Sequence, residues 1–383
     1  MTNAALFRAP AAGAATERAA HAFAVAESWL FSAPMTALQG EFDEPAGSSA
    51  DLTSWLHLNE DLPDWLDRLF DAPDAAVAGL SADQTEILRR TLAVERIAAA
   101  AFNFRSGSGY RERSQAVEGS FDERTRARVL ELTTELGLVT PQPPRFDRYD
   151  KTLVLGGGYR SPLLRSRYAA HLRSTGVALG EVSFLGSPRF LIADPPERDV
   201  TAAYAPAATD EFGLMVAAAQ AEFGLAAAEV TFLCGCASAD RICPQWPLWS
   251  TDVDGTPPEF THERQAPLVG DDGRAIGSVL SASTGRPPYR PDTSDTLRLW
   301  TRCAEPRLGQ RVLVVTTQVF VPFQTFDALR RLYLPHGVDV DAVGFGAEWG
   351  DRPQTAEYLL QETLSAIRSA RRLLVAAAEI LSP

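Results

Sequence analysis

From residue 151 onward the chain alternates between two textures. Short apolar runs, several ending in glycine or a small polar residue, are each followed by a stretch of helical periodicity. TLVLGGG (152–158), VSFLGS (182–187), EVTFLCG (229–235), RVLVVTTQ (311–318) and VDVDAVGFG (338–346) are the strand candidates. The segments RSPLLRSRYAAHLRSTG, TDEFGLMVAAAQAEFGL, TSDTLRLWTRCAEP and FQTFDALRRLYLPHG space their apolar residues as helices do, and TAEYLLQETLSAIRSARRLLVAAAEIL closes the chain in the same way. Continuous apolar strands separated by helices imply a parallel sheet, because each crossover helix covers a face. The expected fold is α/β, with a doubly wound, mostly parallel sheet. Sheets of this kind bind ligands beyond the carboxyl ends of their strands, where the strand order reverses.

Residues 1–148 lack strand-like runs and are expected to form an α-helical domain. AATERAAHAFAVAESWLF, LPDWLDRLF, SADQTEILRRTLAVERIAAAAFNF and SFDERTRARVLELTTELGL carry the 3.6-residue period. Ser81, and Ser120 with Asp122 and Glu123, mark helix starts, since a side-chain oxygen there accepts a backbone N–H. Trp29, Trp55 and Trp65 are expected in the core. TPQPPRFDRYD (140–150), with three prolines, reads as the boundary to an α/β domain over 149–383. Residues 236–292 are too long for a simple connection and read as an insertion. No internal repeat is visible.

Charge and cysteine content narrow the chemistry. The formal net charge is −13, and among the 36 basic residues only Lys151 is a lysine. A GxxxxGK[ST] phosphate loop is excluded, because Lys151 follows Asp150. Schiff-base chemistry would have to use Lys151 itself. The acidic balance argues against nucleic acid as a partner. No signal-like segment and no apolar run long enough for a bilayer occurs, so no membrane partner is expected and the cytoplasm is the expected location. CGCASADRIC (234–243) holds Cys234, Cys236 and Cys243, but its spacing departs from the paired CxxC of structural zinc sites. Buried thiols at a strand end are the favoured account, a metal site or a redox pair the lesser ones, and no metal ligand is assigned.

Four clusters fall at strand or helix ends. Gly156, Gly157 and Gly158, followed by Arg160, would let backbone N–H groups and a guanidinium approach an anion, and equally suit a tight strand-to-helix turn. Glu211 opens a helix, where it either faces a ligand or complements the helix dipole. Asp292, Thr293 and Asp295 stand at another helix start and offer carboxylates or a cap. Thr316, Thr317 and Gln318 follow the most apolar strand, at the edge a parallel sheet turns to its ligand. No GxSxG or HExxH is present. Of the five histidines only His262, in the insertion, would reach such an edge; His336 is expected at a helix end.

In order and spacing these clusters resemble the YdcF/SanA/ElyC-like family, a domain of unknown function with a Rossmann-like sheet. That family has a first strand ending in GG with a nearby arginine, a helix opening on glutamate, an NTxEN-like segment, and a strand running into VTSxxHxxRA. LGGGYR (155–160) matches the first element through Arg160, and TDEFG matches the second through Glu211. DTSDT (292–296) resembles the third. VTTQVFVPFQ (315–324) resembles the fourth, with Phe320 and Phe323 where His and Arg stand in the family. That departure removes an acid/base group and an anion anchor, and leaves a pair of rings suited to core packing or to stacking on a flat ligand. The resemblance covers about 150–350 and implies a small-molecule ligand, S-adenosylmethionine or a nucleotide; if the protein is an enzyme, a transferase or a hydrolase is expected. Gly156–Gly158 and Arg160 would hold an anionic group, Glu211, Asp292 and Asp295 hydroxyls or amines, and Thr316, Thr317 and Gln318 would line the floor, with Thr293 a further ligand-binding candidate. Two alternatives differ in class. One is a hydrolase of a phosphorylated or glycosyl substrate, with Glu211, Asp292 and Asp295 acting as base or holding Mg²⁺. The other is a non-catalytic regulatory protein that docks a partner through the helical region.

Overall fold

The computed structural model describes residues 13–42, 77–104, 121–158, 160–189, 195–235, 262–285, 291–350 and 354–382, with single residues between them. The chain divides into two compact units. One is helical and combines 1–142 with 318–337 and 352–383; the other comprises 143–317 and 338–351.

The helical unit contains α1 (Ala15–Leu30), α2 (Ala33–Gly40), α3 (Ala82–Ala101) and α4 (Glu123–Glu135). Ser81 caps α3 by accepting from Gln84 N at 3.1 Å, and Asp122 caps α4 by accepting from Thr125 N at 2.8 Å. Trp29 is fully buried, donates Nε1–H to Leu136 O at 3.1 Å and packs edge-on against Phe326. Trp65 is half-buried, and Trp55 lies outside the described residues.

The second unit is built on an eight-stranded, mixed but mostly parallel sheet. Its strands are β1 (Lys151–Leu155), β2 (Glu181–Gly186), β3 (Ala226–Ala227), β4 (Thr231–Phe232), β5 (Arg264–Val269), β6 (Ala275–Ser281), β7 (Arg311–Thr317) and β8 (Asp339–Phe345). Parallel pairing runs β6-β2-β1-β7-β8. β5 joins β6 antiparallel, and β3 and β4 both pair with β5. Helices α5 (Ser161–Ser174), α6 (Pro195–Tyr204), α7 (Glu211–Phe223) and α8 (Thr293–Ala304) follow their strands. Leu164, Tyr168 and Leu172 of α5 and Phe212 and Met215 of α7 share a core with Val154, Phe184, Val279, Leu313 and Val343. α8 lies on the opposite face, where Trp300 Nε1–H donates to Ser183 Oγ at 3.2 Å. The sheet is therefore wound on both faces, as the strand–helix rhythm requires.

One expected strand is displaced. EVTFLCG does not enter the parallel core; only Thr231–Phe232 pair, on the outer side of β5, with Val230 41% and Phe232 50% exposed. The remaining parallel strand is β6, which forms with β5 a hairpin inside 236–292. The hairpin turns at Gly273, whose φ of 73° favours glycine. Among the described residues no helix is long and apolar enough to cross a membrane.

Candidate functional site at the strand-order switch

In the order β6-β2-β1-β7-β8 the crossovers from β1 step away on one side and later return to β7 on the other. The switch falls between β1 and β7, and a crevice there is the general ligand position of doubly wound sheets. Gly156 leaves β1 and donates its N–H to Leu185 O at 2.6 Å. The buried guanidinium of Arg165 in α5 holds the turn from beneath, donating to Leu155 O at 3.1 Å and also to Gly156 O. A β-carbon at Gly156 would strike the Glu211 carboxylate and stand 2.6 Å from Leu185 O. Glycine at this position is thus required by close approach. Gly158 O accepts from Ser161 N at 2.8 Å, which opens α5. Arg160 stands exposed at that helix start and donates to Gly350 O at 3.4 Å.

Glu211 is not a helix cap. Asp210 caps α7, accepting from Gly213 N at 2.9 Å, and pairs with Arg264. Burial pulls the Arg264 pKa down and the Asp210 charge opposes it; the guanidinium also lies 4.2 Å above the Phe212 ring. Relieved of capping, Glu211 directs its buried carboxylate toward Gly156 and accepts a hydrogen bond from Ser187 Oγ, just beyond β2. A carboxylate so placed accepts hydrogen bonds from hydroxyl or amine groups at the carboxyl edge.

The acidic pair of α8 is engaged differently. Asp292 Oδ1 accepts from Asp295 N at 3.2 Å, and Asp295 Oδ2 accepts from Asp292 N at 3.0 Å, a reciprocal capping box. Asp295 Oδ1 accepts in addition from Gly285 N at 2.9 Å, and Arg298 stands 3.5 Å away. Burial, reinforced by the Asp292 charge, raises the Asp295 pKa against those hydrogen bonds and Arg298. Thr293 is the first residue of α8.

Thr316 and Thr317 end β7 and are buried. Thr316 Oγ1 makes no hydrogen bond among the described residues, and neither does the buried Ser281 Oγ at the end of β6. Gln318 belongs to the helical unit, where its Nε2 donates to Gly137 O at 2.7 Å. Phe320 and Phe323 are buried in the same unit, Phe320 edge-on to Tyr358. His336 ends a short helical turn, and burial followed by Arg18 lowers its pKa.

The structure therefore brings Gly156, Gly157 and Glu211 together, with Thr316 and Thr317 ending the neighbouring β7. Asp292, Thr293 and Asp295 stand at the carboxyl end of β6, where Gly285 reaches Asp295. Arg165 and Ser187 were not among the sequence candidates. A serine directly after a strand was the available signal for Ser187; for Arg165 there was none.

No family model and no solved structure matches the chain. Mycobacterial proteins do, among them Uncharacterized protein Rv3785 of Mycobacterium tuberculosis and Uncharacterized protein Mb3814 of Mycobacterium bovis, each 32% identical over 256 residues. The matched region spans 66% of this chain and 66% of each relative, just under two thirds. The chain is a distant homologue of this mycobacterial group.

Proposed function

We propose that the protein binds a small molecule that carries an anionic group together with hydroxyls or amines, a nucleotide or S-adenosylmethionine, at the switch between β1 and β7. One observation carries this. Gly156, shaped by close approach, and the buried Glu211 carboxylate meet beside the strand-order switch. At that position a Rossmann-like sheet presents its ligand crevice. Thr316, with an unsatisfied buried hydroxyl among the described residues, adds a polar group at the end of β7. The choice of S-adenosylmethionine rests on the resemblance to the YdcF/SanA/ElyC-like family, and a transferase is the activity that such a ligand would serve. A Mg²⁺-assisted hydrolase is less well supported: Asp292 and Asp295 already satisfy each other as a cap, and Asp295 also serves Gly285 and Arg298.

Isothermal titration of the full chain with S-adenosylmethionine and with adenine nucleotides tests the proposal. Saturable binding by one of them is expected. Glu211→Gln should weaken it about tenfold or more, equivalent to about 1.4 kcal/mol. Heat exchange with none of the ligands, from protein with a cooperative unfolding transition, rules the proposal out.

A further inference from the structure

A second constellation lies at the outer edge of the sheet, apart from the glycine turn. Cys234, Cys243 and His262 are all buried, and one ligand atom from each lies within 4.8 Å of the others. Cys234 Sγ and His262 Nδ1 are 3.1 Å apart, although 28 residues separate them in sequence. The β4–β5 ladder explains the meeting. Phe232 pairs with Arg264, and Leu233 N–H donates to Glu263 O at 2.7 Å. Carried one residue further, the antiparallel register sets Cys234 opposite His262. Arg264 in turn pairs with Ser281 at the end of β6, so the cluster stands at the carboxyl edge of the parallel strands.

Two thiols and an imidazole converging out of water form a soft donor set, the set preferred by Zn²⁺. Around a tetrahedral zinc, with Zn–S near 2.3 Å and Zn–N near 2.0–2.1 Å, sulfur–sulfur separations come to about 3.8 Å and sulfur–nitrogen separations to about 3.5 Å. The three ligand atoms are already within reach of that geometry. Carboxylate- and water-loving cations such as Mg²⁺ are disfavoured by the same donors.

We propose that Cys234, Cys243 and His262 bind a Zn²⁺ ion that fastens the chain following β4 to the start of β5. Binding converts both thiols to thiolates and releases their two protons to solvent, so affinity falls on acidification. The gain in stability comes from closing a long stretch of chain onto the sheet edge. The proposal is independent of the ligand at the β1–β7 switch.

Cobalt titration of the full-length, reduced and chelator-treated protein is the test. One Co²⁺ per chain should bind, with thiolate-to-cobalt charge-transfer absorption, and Zn²⁺ should displace it. Cys234→Ser, Cys243→Ser and His262→Ala should each lower metal retention about tenfold or more, whereas Cys303→Ser should not. Because a ligand variant can misfold, the unmutated protein supplies a second measurement: Zn²⁺ should slow alkylation of Cys234 and Cys243 about tenfold or more and leave Cys303 unaffected. Reduced protein without charge-transfer absorption or zinc protection of these two thiols overturns the proposal. So does a Cys234–Cys243 disulfide in the purified protein that takes up no metal after reduction.

Discussion

Asp295 shows how much a single carboxylate can do at a helix start. Two backbone N–H groups, from Asp292 and Gly285, point at its oxygens, and Arg298 stands beside it. Burial and the neighbouring Asp292 nevertheless raise its pKa above the ordinary carboxylate value. Between the unfolded pKa and this raised one, the native state holds more protons than the unfolded chain, so stability falls as pH rises. Asn at this position carries no such proton. The stability advantage of the unmutated protein over Asp295→Asn should therefore grow as urea unfolding is carried from neutral pH down toward the ordinary Asp value of about 3.9. A pH-independent difference would show that Asp295 keeps an ordinary pKa. The carboxylates of the candidate site were unequally legible in the sequence. Asp292 and Asp295 stand three residues apart before an apolar helical stretch, and that spacing already reads as a cap. Glu211 gave no such sign, because its role depends on Asp210 taking the cap and on Ser187 arriving from another strand.

At the scale of the element, β1 and β7 were readable because apolar residues occupy both faces of each strand, and β2 and β8 because short apolar runs, with Phe184 and Leu185 in one and Val343 and Phe345 in the other, end in glycine or serine. β6 was not. AIGSVLS carries a glycine and two serines, and it lies among proline-rich stretches that look like loop. EVTFLCG has the denser apolar run, yet its Val230 and Phe232 are largely exposed. Local hydrophobicity thus chose the wrong one of two adjacent segments, because partner strands decide which run enters the sheet. The glycine in β6 is needed for pairing: a β-carbon at Gly277 would collide with Val182 O across the parallel ladder. Gly277→Ala should push β6 from β2 and destabilise the protein by about 1–3 kcal/mol, the usual cost of forcing extra bulk into a packed position. Urea denaturation measures this; a change below about 0.5 kcal/mol, the ordinary range of a surface substitution, would mean the strands separate freely at that point.

At the scale of the whole molecule, the helical unit is assembled from three separated stretches of chain. Its longest helix, α10 (Ala356–Leu381), packs along α1, α3, α4 and α9 (Val321–Ala328). Leu359, Leu360, Leu364, Ile367, Leu373 and Leu374 of α10 are fully buried. An ion pair fixes the register of α3 on α10: the buried Glu95 accepts from Arg371 Nε at 2.5 Å and faces Arg368 Nε at 3.4 Å. The proline-rich stretch at 140–150 invites a cut that would release residues 143–383 as an autonomous piece. Such a cut would strip α1, α3 and α4 from α10, exposing its leucines and leaving Arg371 without its carboxylate. A charge deprived of its buried partner costs about 3–5 kcal/mol, and the uncovered leucines add to the loss. Expressed alone, 143–383 should therefore aggregate or bind a hydrophobic dye, and trypsin should cleave within α10 far faster than in the full chain. A fragment that stays dispersed, resists trypsin at Arg368, Arg371 and Arg372 and unfolds at the temperature of the intact protein would show that α10 does not need the N-terminal helices.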